Sequence, residues 1–312
     1  MEEAVWDILS LKLRGCIKKG EVSLEKLEEI RLRIQKPVWI LYAGEGFFLQ
    51  RNGKLTKKKD DVYICQNEDM KETLEYIFEY SRYACEEQLM SGYVTIRGGH
   101  RIGMTGKIVT EKGKIKTVGE IGMINIRVAH EQIGCARKIL PQLKESGNWC
   151  STLIISPPGG GKTTLLRDLI REIASEENSM TVGVVDERSE LAACYKGVPQ
   201  NDLGLTTDII EGCSKALGME MLLRSMAPDL IAVDELGSEE DVEAVLKIHN
   251  CGCKLFATIH GSSMEEIMQK KHLQEIFEKR VFQRVIELGN RYQVGNVRKI
   301  FRFKQGKWET IQ

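Results

Sequence analysis

The sequence predicts an α/β protein in which a parallel sheet flanked by helices, residues 136–312, follows a smaller mixed α/β domain, residues 1–135. Three observations carry this expectation. Beyond residue 150, short apolar runs alternate with helix-period segments, the pattern of parallel strands joined by crossover helices. Before residue 130, period-two alternation is cut by glycines and by the hairpin signal Asn52-Gly53. A chain of 312 residues is also long enough to bury two cores.

In chain order, residues 2–32 read as helical, with Val5, Ile8 and Leu9, then Leu24, Leu27 and Ile30, on repeating faces broken near Gly20. From Ile30 the pattern changes to alternation (RLRIQKPVWILY, then GFFLQRNGKL). Asn67 can cap a long helix running to about Met90, whose stripe of Met70, Leu74, Ile77, Phe78 and Leu89 reads as core. After Gly92 come three strand-like pieces, YVTIR, HRIGMTGKIV and INIRVA. A helical segment at about 133–145 should connect the two domains.

Residues 151–175, STLIISPPGGGKTTLLRDLIREIAS, read as strand, glycine loop and helix. Gly159, Gly160 and Gly161 clear side chains from a place where backbone amides must close on an anion, and the following helix points its positive end there. A polyphosphate fits that cradle, formed by residues 158–164 with Pro158 and Thr164 at its ends. Lys162 can reach the β- and γ-phosphates, and the Thr163 hydroxyl can ligate Mg²⁺. Ser156 stands where the strict phosphate-loop pattern has glycine, a small residue that the turn should accept.

Three further strand ends carry chemistry. TVGVV ends in Asp186-Glu187-Arg188, charges that are costly to bury alone and so are expected at the nucleotide cleft or a subunit boundary. A helix over about 208–226 then leads to LIAVDELG. Its Asp234 can hold Mg²⁺ through a water, and Glu235 can polarise an attacking water. A helix over 239–249 precedes the strand KLFATI, which ends at His260. Ser262 or Ser263 can cap the next helix, VFQRVIEL supplies another strand, and a hairpin region closes the chain.

Composition narrows the classes. Lys and Arg (45) balance Asp and Glu (45), so charge gives no argument for nucleic acid as a partner, and the run KLTKKK at 54–59 reads as a solvated hairpin tip. No apolar stretch is long enough to span a bilayer, and the amino terminus is acidic and amphipathic rather than a leader, so a cytoplasmic location is expected. Nine scattered cysteines give no disulfide framework, and Cys251 and Cys253 read as buried or loop thiols rather than a zinc site.

With these residues in place, the chain resembles the secretion-ATPase superfamily of P-loop motors, which includes the ring ATPases of type II and type IV secretion and pilus retraction. PPGGGKTT, VVDERSE, MLLRSMAPDLIAVDELG and ATIHGSS follow that superfamily's motif order. It has glycine before the acidic strand's glutamate, where this chain has Asp234. Within it, EIRLRIQKPVWI, RGGHRIGMTGKIV and VVDERSEL are similar to recurring phrases of the stage III sporulation protein AA family.

The resemblance implies a RecA-like domain with sheet order 5-1-4-3-2 and a homo-oligomeric ring, a hexamer, that hydrolyses ATP with Mg²⁺. Asp186 and Glu187 would join the nucleotide site, and His260 would sense the γ-phosphate from the strand between the phosphate-loop and acidic strands. Arg224, Arg188 or an arginine of the first domain would complete the charge clamp. The first domain would regulate or dock partners. The ATPase would work on the mother-cell side, docked on membrane proteins of a channel complex to the forespore. Two rival readings are a nucleic-acid-stimulated ATPase or loader and a non-hydrolysing, nucleotide-gated scaffold.

Overall fold

The computed structural model describes residues 4–20, 22–79, 92–111, 114–175, 180–289 and 295–312. It divides into two compact units: residues 1–130 together with 195–200, and residues 131–194 with 201–312. The short segment Tyr195–Gln200 thus belongs with the first unit although it lies far along the chain.

The first unit is built on an antiparallel sheet. Its strands are β1 (Leu27–Arg33), β2 (Trp39–Tyr42), β3 (Glu45–Leu49), β4 (Leu55–Thr56), β5 (Tyr93–Thr95), β6 (Arg101–Glu111) and β7 (Lys114–Arg127), in the order β4-β3-β2-β1-β7-β6-β5. Helices α1 (Ala4–Asp7), α2 (Leu11–Lys19) and α3 (Asn67–Ile77) contribute Val5, Leu13, Ile17 and Met70 to a core shared with Leu27, Ile30, Ile40 and Ile126. One buried carboxylate ties two helix starts together. Asp69 accepts from the hydroxyl of Ser10, the α2 cap, and from the Gln66 amide, while Tyr63 Oη donates to it at 2.9 Å.

Two expectations change here. Residues 24–32 are not helical: a 3₁₀ turn, Leu24–Lys26, leads into β1. The register of β1 shifts between Leu27 and Glu29, and that irregularity puts Leu27 and Ile30 on one face of a strand at a spacing that imitates a helix. Gln66, not Asn67, caps α3, which ends at Ile77 with Phe78 at its C-cap, and the remainder of the expected helix to Met90, with Leu89, lies outside the described residues.

The second unit holds a small hairpin, β8 (Lys144–Glu145) with β9 (Asn148–Trp149), and a large sheet. The large sheet's strands are β10 (Thr152–Ser156), β11 (Val182–Asp186), β12 (Thr207–Glu211), β13 (Leu230–Leu236), β14 (Lys254–His260), β15 (Arg284–Leu288), β16 (Val297–Lys304) and β17 (Lys307–Thr310). The observed order is β12-β11-β13-β14-β10-β15-β16-β17, parallel from β12 to β15 and antiparallel beyond. Among the described residues the sheet has eight strands: β12 extends the five expected at one edge, and the hairpin expected at the end of the chain, β16 and β17, joins the sheet at the other.

Both faces of the sheet are buried, as parallel strands require. Leu153, Ile155, Ile231, Val233 and Ala257 enter one core together with Val245 of α6 (Glu239–Asn250). The alternate residues Ile154, Ala232 and Phe256 enter another, with Leu165, Leu169 and Ile173 of α4 (Lys162–Ala174). The unit is completed by α5 (Lys215–Ser225), α7 (Met264–Met268) and α8 (Gln274–Glu278).

The helix expected over 208–226 is instead β12 followed by α5. Thr207, Ile209 and Ile210 are β-branched, and Gly212 at φ +73° with Ser214 at the cap separates strand from helix. The helix expected near 133–145 is also absent, replaced by a 3₁₀ turn, Leu140–Leu143, and β8. Pro141 removes an amide there, and the Gly134 and Ala136 amides donate to Asp168 on α4 at 2.9 and 2.7 Å rather than to helix carbonyls. Among the described residues no helix is long and apolar enough to cross a membrane, and the eight described cysteines are free.

Candidate active site

The phosphate loop follows from how β10 ends. Ser156 is fully buried, and the chain then turns through residues 157–161 with Gly159 at φ +74° and Gly161 at φ +89°. Those backbone angles suit glycine. Gly160 is required for a different reason: a Cβ there would lie 2.3 Å from Ser156 Oγ and 3.0 Å from the Gly289 carbonyl oxygen. The unusual Ser156 is therefore accommodated by the bare backbone at Gly160, and its hydroxyl donates to the Pro157 carbonyl at 2.8 Å. Gly161 caps α4, so the unpaired amides of that helix's first turn open onto the loop beside Lys162, Thr163 and Thr164. Pro158 and Gly159 lie on the exposed rim.

The acidic pair reaches the same place through a break in the sheet. Val233 pairs with Ala257 and Leu236 with Ile259, so Asp234 and Glu235 together face the single residue Thr258. This is a bulge, with Glu235 in the left-handed region at φ +61°. On a regular strand, neighbouring side chains point to opposite faces. Here both carboxylates meet the phosphate-loop helix: Thr163 Oγ1 donates to Asp234 Oδ2 at 2.6 Å, and Lys162 Nζ lies 3.6 Å from Glu235 Oε2.

Arg188 joins this cluster, with Nη1 2.7 Å from Glu235 Oε2, so one half-buried carboxylate is flanked by two cations. His260 ends β14 between β10 and β13, with Nδ1 3.3 Å from the carbonyl oxygen of Ser156. The other predicted residues lie elsewhere. Asp186 does not face the cleft. It is 2% exposed, and its two oxygens accept from the amides of Glu190, Leu191, Ala192 and Ala193, because a buried carboxylate must find donors and the backbone loop supplies them. Glu187 pairs with Lys215 at 2.6 Å. Arg224 has a side chain 77% exposed and pairs with Glu220 one turn earlier on α5.

Three residues were missed by sequence reasoning. Lys215 bridges Glu187 and, at 3.8 Å, Asp241. Arg167, whose guanidinium pKa is lowered by burial, fastens the loop after Asp186 by donating to the carbonyls of Leu191 and Glu190. Thr258 touches both acidic residues. A signal for Thr258 existed, since it stands two residues before His260 on one strand and so shares its face of the sheet.

A hydroxyl and a carboxylate, Thr163 and Asp234, form an oxygen donor pair suited to a hard cation such as Mg²⁺. Among the described residues no group of three or more His, Cys, Asp or Glu could hold a metal alone. Mg²⁺ usually takes one or two protein oxygens and completes its shell from phosphates and water.

A family model described as "Sporulation stage III, protein AA" matches residues 1–307. Stage III sporulation protein AA of Bacillus subtilis (strain 168) is 39% identical over 279 residues, covering 88% of this chain and 87% of that protein. Among solved structures, the pilus retraction motor PilT with bound ADP is similar with a TM-score of 0.59 and 18% identity, over 91% of this chain and 77% of that one. The Legionella pneumophila ATPase DotB gives a TM-score of 0.56 and 18% identity, over 85% of this chain and 72% of that one. These last two likenesses concern the fold alone, which this chain shares with that motor and that ATPase.

Proposed function

The chain belongs to the sporulation stage III protein AA family, and from that membership and its site we propose that it is a Mg²⁺-dependent ATPase of the secretion-motor type. The observation that carries this reading is the convergence of Lys162, Thr163, Asp234 and Glu235 on one loop. Backbone amides of the loop and the Lys162 ammonium bind the β- and γ-phosphates of ATP. Thr163 and Asp234 would hold Mg²⁺, which supplies neutralising charge to the phosphate oxygens. Glu235 orients the attacking water and accepts its proton, and His260 reads the γ-phosphate from the neighbouring strand end. Arg188 lies against the base and contributes cationic charge near the phosphates.

The protein works as a homo-oligomeric ring, a hexamer, in which Arg224 or an arginine of the first domain completes a neighbour's charge clamp. The first domain, residues 1–135, regulates the ring or docks it on membrane proteins of a channel between mother cell and forespore, with the ATPase on the mother-cell cytoplasmic side. The balanced net charge gives no argument for a nucleic-acid partner.

The test is turnover against binding. Glu235→Gln should bind ATP normally and release phosphate about 10³-fold more slowly, while Lys162→Ala should lose both binding and release. A wild-type protein that binds ATP in its assembled state and never turns it over would replace this reading with a nucleotide-gated scaffold.

A further inference from the structure

We infer that Thr258 is a positioning residue whose hydroxyl holds the bulge that turns Asp234 and Glu235 toward the phosphate loop. The inference rests on the proposed hydrolysis and assigns the residue that sets its base in place. Thr258 is fully buried in β14, between Ala257 and Ile259, where a purely apolar side chain would fill the same space. Its hydroxyl accepts from the Glu235 amide at 2.8 Å and donates to Asp234 Oδ1. Both bonds of one hydroxyl therefore go to the two consecutive acids, and Thr163 Oγ1 holds the other oxygen of Asp234.

The backbone explains why a hydroxyl is needed. An extra residue in β13 carries the Glu235 amide out of register with β14, so the ladder of main-chain bonds skips this position. Left alone, that amide would be a donor without a main-chain partner at a part-buried position of the sheet. A left-handed conformation at a residue other than glycine adds a steric cost of its own. The Thr258 hydroxyl replaces the missing carbonyl and at the same time fixes the rotamer of Asp234. Without it the strand can relax toward regular pairing, which would turn one of the two carboxylates away from the loop.

Thr258→Val keeps the shape and removes the hydroxyl, and Thr258→Ser keeps the hydroxyl. Displacement of a base by about 1 Å costs roughly 10²-fold. The valine variant should therefore lose kcat on that scale while KM and equilibrium affinity for a fluorescent ATP analogue stay within about threefold. The serine variant should recover most of the rate. Hydrogen exchange at the Glu235 amide should accelerate about fivefold in the valine variant and remain at the wild-type rate in the serine variant. Wild-type kcat in the valine variant, equal losses in both variants, or unchanged exchange at Glu235 would each overturn the inference. If the wild-type protein itself shows no turnover, the proposed ATPase fails, and amide exchange still decides whether Thr258 holds the bulge.

Discussion

The neighbouring strands β11 and β13 end in the same chemistry, Asp186-Glu187 and Asp234-Glu235, and use it differently. At the end of β11 the aspartate folds back on the loop that follows it and is satisfied by four backbone amides, while the glutamate is paired by Lys215. At the end of β13 a bulge denies the aspartate that option, and both carboxylates meet Lys162 and Thr163 instead. An acid at a strand end is therefore structural when the local backbone can supply its donors. It is available for chemistry when a break in register aims it at groups from another element. Asp168 on α4 is likewise structural, since the Gly134 and Ala136 amides and Arg171 claim its oxygens.

Exchanging the two glutamates' chemistry should break this comparison most sharply. Glu235→Gln should cost about 10³-fold in phosphate release, whereas Glu187→Gln should cost less than about tenfold, as a phosphate-release assay at saturating ATP would record. Equal losses would place both strand ends in the active site.

Next in size is Asp186→Ala, which strands the amides of residues 190–193. It should lower unfolding stability by about 3 kcal/mol, read by denaturant titration, and Asp234→Ala should cost clearly less stability and far more turnover. A smaller effect is expected for Arg188→Ala. That side chain is exposed and touches Glu235 directly, so turnover should fall about tenfold with little change in melting temperature.

The smallest effect is one of pH. Burial pushes the Asp168 carboxyl up, but the Ala136 and Gly134 amides and the Arg171 guanidinium outweigh it and hold the group below its ordinary value of 3.8. A lowered folded-state pKa means the stabilisation is fully present above 3.8 and is lost as pH falls through the folded value. Asp168→Asn should therefore flatten the acid limb of the stability profile below about pH 4 and lower the plateau above it, measured by thermal melts from neutral to acid pH.

Much of the site was legible in the residues themselves. The apolar run, the glycines and the amphipathic helix of 151–175 each follow local rules, and β10, the loop and α4 obey them. The acids of β13 were legible as a pair, but not the way they reach the loop, because alternation of apolar residues carries no mark of an extra residue. The same kind of register shift disguised β1 as helix, and β12 was merged with the helical pattern of α5 although Thr207, Ile209, Ile210 and Gly212 mark a strand and a break ahead of that helix. Asp186 was misread because charge at a strand end says nothing of which donors the next four to seven residues will offer.

The most direct test is a structure of the assembled protein with Mg²⁺ and a non-hydrolysable ATP analogue. The triphosphate is predicted on the amides of residues 159–163 with Lys162 at the γ-phosphate, Thr163 and Asp234 beside the metal, and a water between Glu235 and the γ-phosphorus. A vacant loop, or a nucleotide bound there with Glu235 turned to the opposite face of the sheet, would contradict the account.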